Sequence, residues 1–424
     1  MKLLKNIKLL ENGRLVEKEI LFDQEQIIQI AAQIDEPNAE IIDGQGYTVL
    51  PGLIDVHVHL REPGNEYKET IDTGTMAAAA GGFTTIFAMP NVIPYPDNVE
   101  TMKQYQALIE HNAHVHVIPY ATITQQEAGK AIVDMKAFAE MGIRAFSDDG
   151  VGVQDEAIMR EAMKKSHELG TMIVAHTEDM HYRKEGACVH AGNEALGRHW
   201  IGIPSECEWK QLERDLKLVQ ETGAHYHCCH VSCKESVQLL NDYKRKGCDV
   251  SGEVTVHHLL LNDEDVVGPN WKMNPPLRTE NDRLALIDGL KSGALTLIAN
   301  DHAPHSEEEK QRPMDKAPFG IVSLETAFSL LYSRLVCTGE ITLSQLVYWM
   351  SEAPAKRFGL QRKGMLKEGY ASDMILVDLN ERYIINRHRF YSKGKNTPFH
   401  GWGVKGRIKT TIVDGTIVYE EGKE

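Results

Sequence analysis

Short apolar runs separated by turn residues fill the first fifty positions: IKLL, ENGR, LVEKEILF, IIQIAA, AEIID and GYTVLPG follow one another. That spacing predicts a series of short strands. The same texture returns at the other end, where DMILVDL and RIKTTIVDGTIVYEEG place β-branched residues around Asp414-Gly415, a hairpin signal. The two ends therefore predict one small β-sandwich domain made of residues 1–50 and 366–424. Between them the period changes. Apolar runs of strand length alternate with helical patterns such as ETIDTGTMAAAAGG and DEAIMREAMKKSHELG, the mark of repeated βα units. Eight candidate strands stand out: LIDVHVHL, TTIFAMP, HVHVIPYATI, IRAFSDDG, MIVAHTED, HYHCCHVS, CDVSGEVTVHH and LTLIANDHAPH. Eight such units predict an α/β fold, a (β/α)8 TIM-like barrel over residues 51–365.

Length agrees with this division, because 424 residues exceed the size at which one core usually stops growing. No repeat, low-complexity tract or Pro-rich linker separates the parts, so barrel and β domain are expected to pack together. SEEEKQRPMDKAPFG, residues 306–320, follows the eighth strand on the side where barrel active sites lie, and its charge and prolines suit a mobile cover over a substrate.

A net charge of -15 argues against nucleic acid or an anionic membrane as partner, and means that an anionic substrate needs local positive charge. The opening MKLLKNIKLLENGRLVEKEI breaks its apolar stretches with Lys, Asn and Glu, giving no signal-peptide core or membrane span, and a cytoplasmic location is expected. Seven cysteines, an odd number that includes the neighbours Cys228 and Cys229, read as reduced thiols. Strand alternation sends those two to opposite faces, so packing rather than a metal cluster is expected around them.

The chemistry lies in the histidines and aspartates. His57 and His59 are two apart on the first candidate strand, so both side chains share one face, where two imidazoles can meet one metal ion. A lone His-x-His is more often a pair of core residues. The picture changes because Asp149, His176, His230 and Asp301 sit at the C-terminal ends of the fourth, fifth, sixth and eighth candidate strands. Nitrogen and oxygen donors gathered at that end of five strands are what a metal centre at the top of a barrel requires. Six donors exceed the four of one tetrahedral zinc, which argues for two ions, with Asp149 the candidate bridge. Spacing alone also admits Asp148. Such a pair of ions lowers the pKa of a shared water and permits hydrolysis without a catalytic Ser or Cys.

DVHVHLREPG, the AMPN after the second strand, AHTED, CHVS, ANDHAPH and APFG together resemble the bacterial type I dihydroorotases of the amidohydrolase superfamily, over nearly the whole chain. The resemblance implies a zinc hydrolase of pyrimidine biosynthesis that interconverts N-carbamoyl-L-aspartate and (S)-dihydroorotate. It makes His57, His59 and Asp301 ligands of one Zn2+ and His176 and His230 ligands of a second, with Asp149 and a hydroxide bridging the two. It makes Asp301 the catalytic proton carrier. Arg61, Asn91 and His305 would hold the substrate carboxylate, Arg61 supplying the local positive charge, while Asn274 and the backbone of Phe319 and Gly320 would meet the ring amide, with His59 also beside the substrate. A homodimer is expected, and aspartate transcarbamoylase is a further expected partner.

Two departures matter. Many superfamily relatives bridge their metals with a carboxylated Lys on strand four, and IRAFSDDG has none, so an aspartate must serve, Asp149 by the resemblance. Val92 follows Asn91 where many relatives have Thr, which leaves the Asn contact intact. His257 and His258 end the seventh candidate strand on the active face and are expected to line the pocket, whereas His114, His116, His225 and His227 sit early or midway and are read as core or solvated. The nearest rivals are an allantoinase or hydantoinase, whose substrates lack the carboxylate that Arg61 would hold, and, from another class, an inactive dihydroorotase-like scaffold, which would have lost ligands present here.

Overall fold

The computed structural model describes residues 1–192, 195 and 197–423, so residue 424 of the expected C-terminal segment lies outside the described residues. Both ends of the chain share one eight-stranded sheet. Lys2–Glu11 pairs antiparallel with Arg14–Phe22 and parallel with Glu40–Asp43 and Thr48–Pro51, and Thr48–Pro51 pairs antiparallel with Met374–Ile384 from the far end. Ile27–Ala31 pairs antiparallel with Arg14–Phe22 at one edge, and Gly403–Val413 and Thr416–Glu420 complete the sheet as a hairpin. Its turn is Asp414-Gly415, both residues at positive φ (45° and 66°), the backbone that this dipeptide favours. One buried face of this sheet joins Leu4, Leu9, Phe22 and Val49 to Met374, Leu376 and Ile412, so two segments more than 300 residues apart make a single core.

The middle of the chain supplies eight short parallel strands, each followed by helix: β1 (Leu53–Val58), β2 (Phe83–Ala88), β3 (His116–Pro119), β4 (Ala145–Phe146), β5 (Met172–Ala175), β6 (His225–Cys228), β7 (Val250–Thr255) and β8 (Leu297–Ala299). They form two parallel ladders, β1-β2-β3 and β4-β5-β6-β7-β8. Single parallel bridges run from Ala121, just past β3, to Phe146, and from Val58 to His302, just past β8. All eight strands expected from the sequence are present, and several are only two to four residues long because the chain peels away at each C-terminal end to present its donors.

The helices begin and end where local chemistry dictates. Thr70 caps Ile71–Ala80 in a reciprocal capping box with Thr73, and Gly81 stops it. Asp155 caps Glu156–Leu169, and Gly170 closes it in the left-handed region. Apolar residues on alternate faces divide into an inner cluster that includes Ile54, Val56, Phe87, Tyr120, Val174 and Cys229, and a larger outer layer beneath the helices that includes Cys228. Cys228 and Cys229 thus face opposite ways, as the alternation predicts, and every cysteine is free. No helix among the described residues is long and apolar enough to cross a membrane.

Candidate active site

The donors picked out in sequence converge at the C-terminal ends of the parallel strands. His57 is fully buried on β1, and His59 lies just past its end. Asp149 follows β4, His176 follows β5, His230 follows β6 and Asp301 follows β8. His57 Nε2 lies 3.4 Å from Oδ1 of both Asp149 and Asp301. His59 Nε2 lies 3.0 Å from Asp301 Oδ1 and 3.5 Å from Asp149 Oδ2, and His176 Nδ1 and His230 Nε2 each lie 3.7 Å from Asp149 Oδ1. Among the described residues Asp149 is therefore the one that all four imidazoles reach, with its two oxygens turned to different histidines. That geometry separates it from Asp148, whose carboxylate accepts the backbone N–H groups of Ile123 and Thr124 and the Thr124 hydroxyl and so latches the segment after β3.

Two overlapping groups, His57-His59-Asp301 and His57-Asp149-His230, keep their donor atoms within 4.8 Å of one another. Nitrogen and oxygen ligands about 2 Å from a tetrahedral zinc lie roughly 3.3 Å apart, which is the spacing seen here. His57 Nε2 and Asp149 Oδ1 are buried with no hydrogen-bond partner, a costly state for polar atoms unless something else satisfies them. The donor set thus fits metal ions, and the cluster is one positioned for metal binding. Burial opposes charge at His57, yet Asp149, Glu253 and Asp301 hold its imidazole well above its ordinary range. In return His57, His176 and His230 hold Asp149 well below the usual carboxylate range, and His57 and His59 bring Asp301 down to about 2. Divalent cations would replace that proton-borne counter-charge.

Arg61, His230 and Asp301 all have left-handed backbones, with φ of 64°, 32° and 47°. Non-glycine residues there cost on the order of 1–3 kcal/mol and gather at functional sites. Each lies at the bend where a strand ends, and the turn swings its side chain toward the common centre.

A cavity of about 310 Å³ opens on the centre, lined by the candidate ligands other than His57 together with Arg61, Asn91, Arg183, Asn274, His305, Phe319 and Gly320. Asn91 Oδ1 accepts from His59 Nδ1 at 3.0 Å, which points His59 Nε2 inward. The Arg61 Nε–H donates to Pro304 O at 3.2 Å, and the guanidinium reaches within 3.4 Å of His305, whose Nε2–H donates to Phe319 O at 2.7 Å. Arg61 thus brings a positive charge to the cavity wall.

The segment 306–320 is folded down and not a loose flap. Ser306 caps the short helix Glu307–Lys310, and the buried Lys310 ammonium donates to Pro318 O and Gly320 O, each at 3.0 Å. His257 and His258 differ from expectation. The strand stops at Thr255, and a helical turn over Val256–Leu260 buries both rings, His258 between Thr255 Oγ1 and Pro275 O, away from the cavity lining.

Three charged residues were not singled out from sequence. Glu178 accepts from His176 Nε2 at 3.1 Å and from Asn274 Nδ2 at 2.8 Å and pairs with Arg183, so it orients one imidazole and one pocket amide together. Glu253 bonds His57 Nδ1. The available signals were the two-residue step from His176 to Glu178 and an acidic residue inside the otherwise uncharged strand interior VSGEVT.

Residues 46–236 match the family model described as Dihydro-orotase-like. The dihydroorotase of Bacillus cytotoxicus is 49% identical over 413 residues, covering 97% of this chain and 96% of its own, and that of Anoxybacillus flavithermus is 51% identical over 423 residues, covering 99% and 98%. Among solved structures, the L-hydantoinase (dihydropyrimidinase) of Arthrobacter aurescens superposes with a TM-score of 0.88 at 26% identity, over 99% of this chain and 96% of that one. The dihydropyrimidinase of Brevibacillus agri does so at 0.86 and 24%, over 100% and 95%, a likeness of fold.

Proposed function

The chain belongs to the dihydroorotase family, and from that premise we infer that it catalyses the reversible hydrolysis of (S)-dihydroorotate to N-carbamoyl-L-aspartate in pyrimidine biosynthesis, as an enzyme of bacterial type I. The observation that carries the reading is the Asp149 carboxylate ringed by His57, His59, His176 and His230 beside a cavity with Arg61 in its wall.

His57, His59 and Asp301 would hold one Zn2+ ion and His176 and His230 a second, with Asp149 placed to serve both. When bound, such ions polarise the scissile carbonyl and lower the pKa of the attacking water. The rest falls to the chain's own groups. The planar fork of Arg61 takes the substrate carboxylate, with Asn91 Nδ2 and His305 beside it. Asn274 has committed Nδ2 to Glu178, which leaves Oδ1 to accept a ring N–H, and the backbone of Phe319 and Gly320 meets the other amide edge. Asp301 takes the proton from the attacking water and delivers it to the ring nitrogen as the C–N bond breaks. In cyclisation the same carboxylate runs the transfer backwards.

In the same reading the eight parallel strands close as a (β/α)8 barrel over residues 51–365, supported by the bridges Ala121–Phe146 and Val58–His302 that join the two ladders, while residues 1–50 and 366–424 form the β-sandwich domain. A cytoplasmic homodimer, with aspartate transcarbamoylase as a further partner, completes it.

Parallel assays of the purified protein on dihydroorotate, allantoin, hydantoin and dihydrouracil test the substrate. Turnover of dihydroorotate is expected, and R61Q should raise its KM by roughly 10–100-fold through loss of a charge-assisted carboxylate contact. Hydrolysis of allantoin or hydantoin without dihydroorotate would transfer the chain to the cyclic amidases that its fold also resembles. Because Lys310 pins Pro318 and Gly320, K310M should loosen the amide-binding backbone and raise KM about tenfold with kcat little changed. A fall in kcat at unchanged KM would argue that the loop serves the chemical step instead.

A further inference from the structure

Glu253 lies on β7, fully buried beneath the centre and outside the cavity lining. Its two oxygens are both engaged. Oε1 accepts the His57 Nδ1–H at 2.6 Å and the His230 backbone N–H at 3.0 Å, and Oε2 lies 3.0 Å from His227 Nε2, whose Nδ1 meets Ser251 Oγ at 2.7 Å. A charged carboxylate in so apolar a place is expensive, and these contacts are what hold it there.

The contacts fall on both halves of the candidate centre. His57 is common to both overlapping donor groups, one with His59 and Asp301 and one with Asp149 and His230, and in the ligand assignment proposed above His57 serves one ion and His230 the other. A hydrogen bond from His57 Nδ1 to Glu253 fixes which ring nitrogen faces the centre, leaving Nε2 turned to the Asp149 and Asp301 carboxylates, where a metal ion would take it as ligand. The bond to the His230 N–H acts on a residue whose φ of 32° is otherwise unfavourable, and so holds the bend that aims its ring. His227, on β6, stands in register with Ser251, two residues before Glu253 on β7, and through its two ring nitrogens links Ser251 to the Glu253 carboxylate.

We propose that Glu253 is a positioning residue that aligns a histidine of each half of a binuclear metal centre, and that His227 and Ser251 hold Glu253 in place. The proposal rests on the metal-centre reading above. Outer carboxylates of this kind typically contribute 10–100-fold in metal affinity.

The test is zinc binding by metal-free protein in competition with a chromophoric chelator, together with the melting temperature of each metal-free form. E253Q keeps the shape of the side chain and can still accept from His57, but it turns a donor toward His227. Zinc affinity is expected to fall 10–100-fold, and kcat to recover in part as free zinc is raised. H227Q, which removes only the support, should fall between E253Q and wild type while its metal-free melting temperature stays near that of wild type. A purely structural role would lower the melting temperature and leave zinc affinity alone, and that result in either variant overturns the proposal. Should E253Q fail to fold, H227Q decides on the same terms. Wild-type protein that takes up no zinc would remove the metal-centre reading itself and this proposal with it, whereas wild type and E253Q binding zinc equally would remove this proposal alone.

Discussion

Asp149→Ala is expected to cost the centre at least one metal ion and nearly all turnover. Among the described residues, the Asp149 carboxylate alone lies within 4 Å of a ring nitrogen of His57, His59, His176 and His230 alike. A methyl group in its place leaves four buried imidazoles that repel one another once charged and share no anion, so neither proposed ion keeps a full ligand set. Zinc content should drop from the proposed two per chain to one at most, and dihydroorotate hydrolysis should fall by at least about 10³-fold, the several kcal/mol that metal-ion catalysis supplies. Metal analysis alongside the rate checks both at once. Full zinc content with normal turnover would show that Asp148, or no carboxylate of this pair, does the bridging. Asp148→Asn should instead act on stability, since its carboxylate serves Ile123 and Thr124.

Asp301→Asn should leave the metal and lose the chemistry. Asn tolerates the left-handed backbone at this position, where φ is 47°, better than Ala, and its amide oxygen still faces His59. What disappears is a carboxylate able to accept a proton from water and pass it to the ring nitrogen. General acid–base catalysis of this type contributes about 10²–10⁴-fold, so kcat should fall by that factor, with zinc content and KM near wild type. Activity equal to wild type would remove Asp301 from the proton path, and loss of zinc would reassign it to ligation alone.

Much of this site was legible one residue at a time, because donors at strand ends announce themselves. His57, His59, Asp149, His176, His230 and Asp301 each follow or close an apolar run of strand length, and period-two alternation sends them to a common side. The choice between Asp148 and Asp149 was not legible, since adjacent residues share the same flanking pattern. It turned on which carboxylate the neighbouring segment uses, and Thr124 takes Asp148. His257 and His258 misled because a helical turn at Thr255 cannot be told from a strand end in so short an apolar run. The loop 306–320 looked mobile by composition, yet its one buried cation, Lys310, finds three backbone carbonyls, those of Lys272, Pro318 and Gly320.

Local pattern is legible in the chain, so the sequence alone determined the βα alternation, the hairpin at Asp414-Gly415 and the set of candidate ligands. Contacts between residues far apart depend on how the strands register against one another, and no local pattern encodes that. The tertiary structure therefore decided that Thr48–Pro51 pairs with Met374–Ile384, that Asp149 sits among four imidazoles, and that Glu253 reaches His57 from 196 positions away. Burial is the physical reason: a carboxylate or imidazole removed from water must find its partner inside the fold, and packing chooses which one.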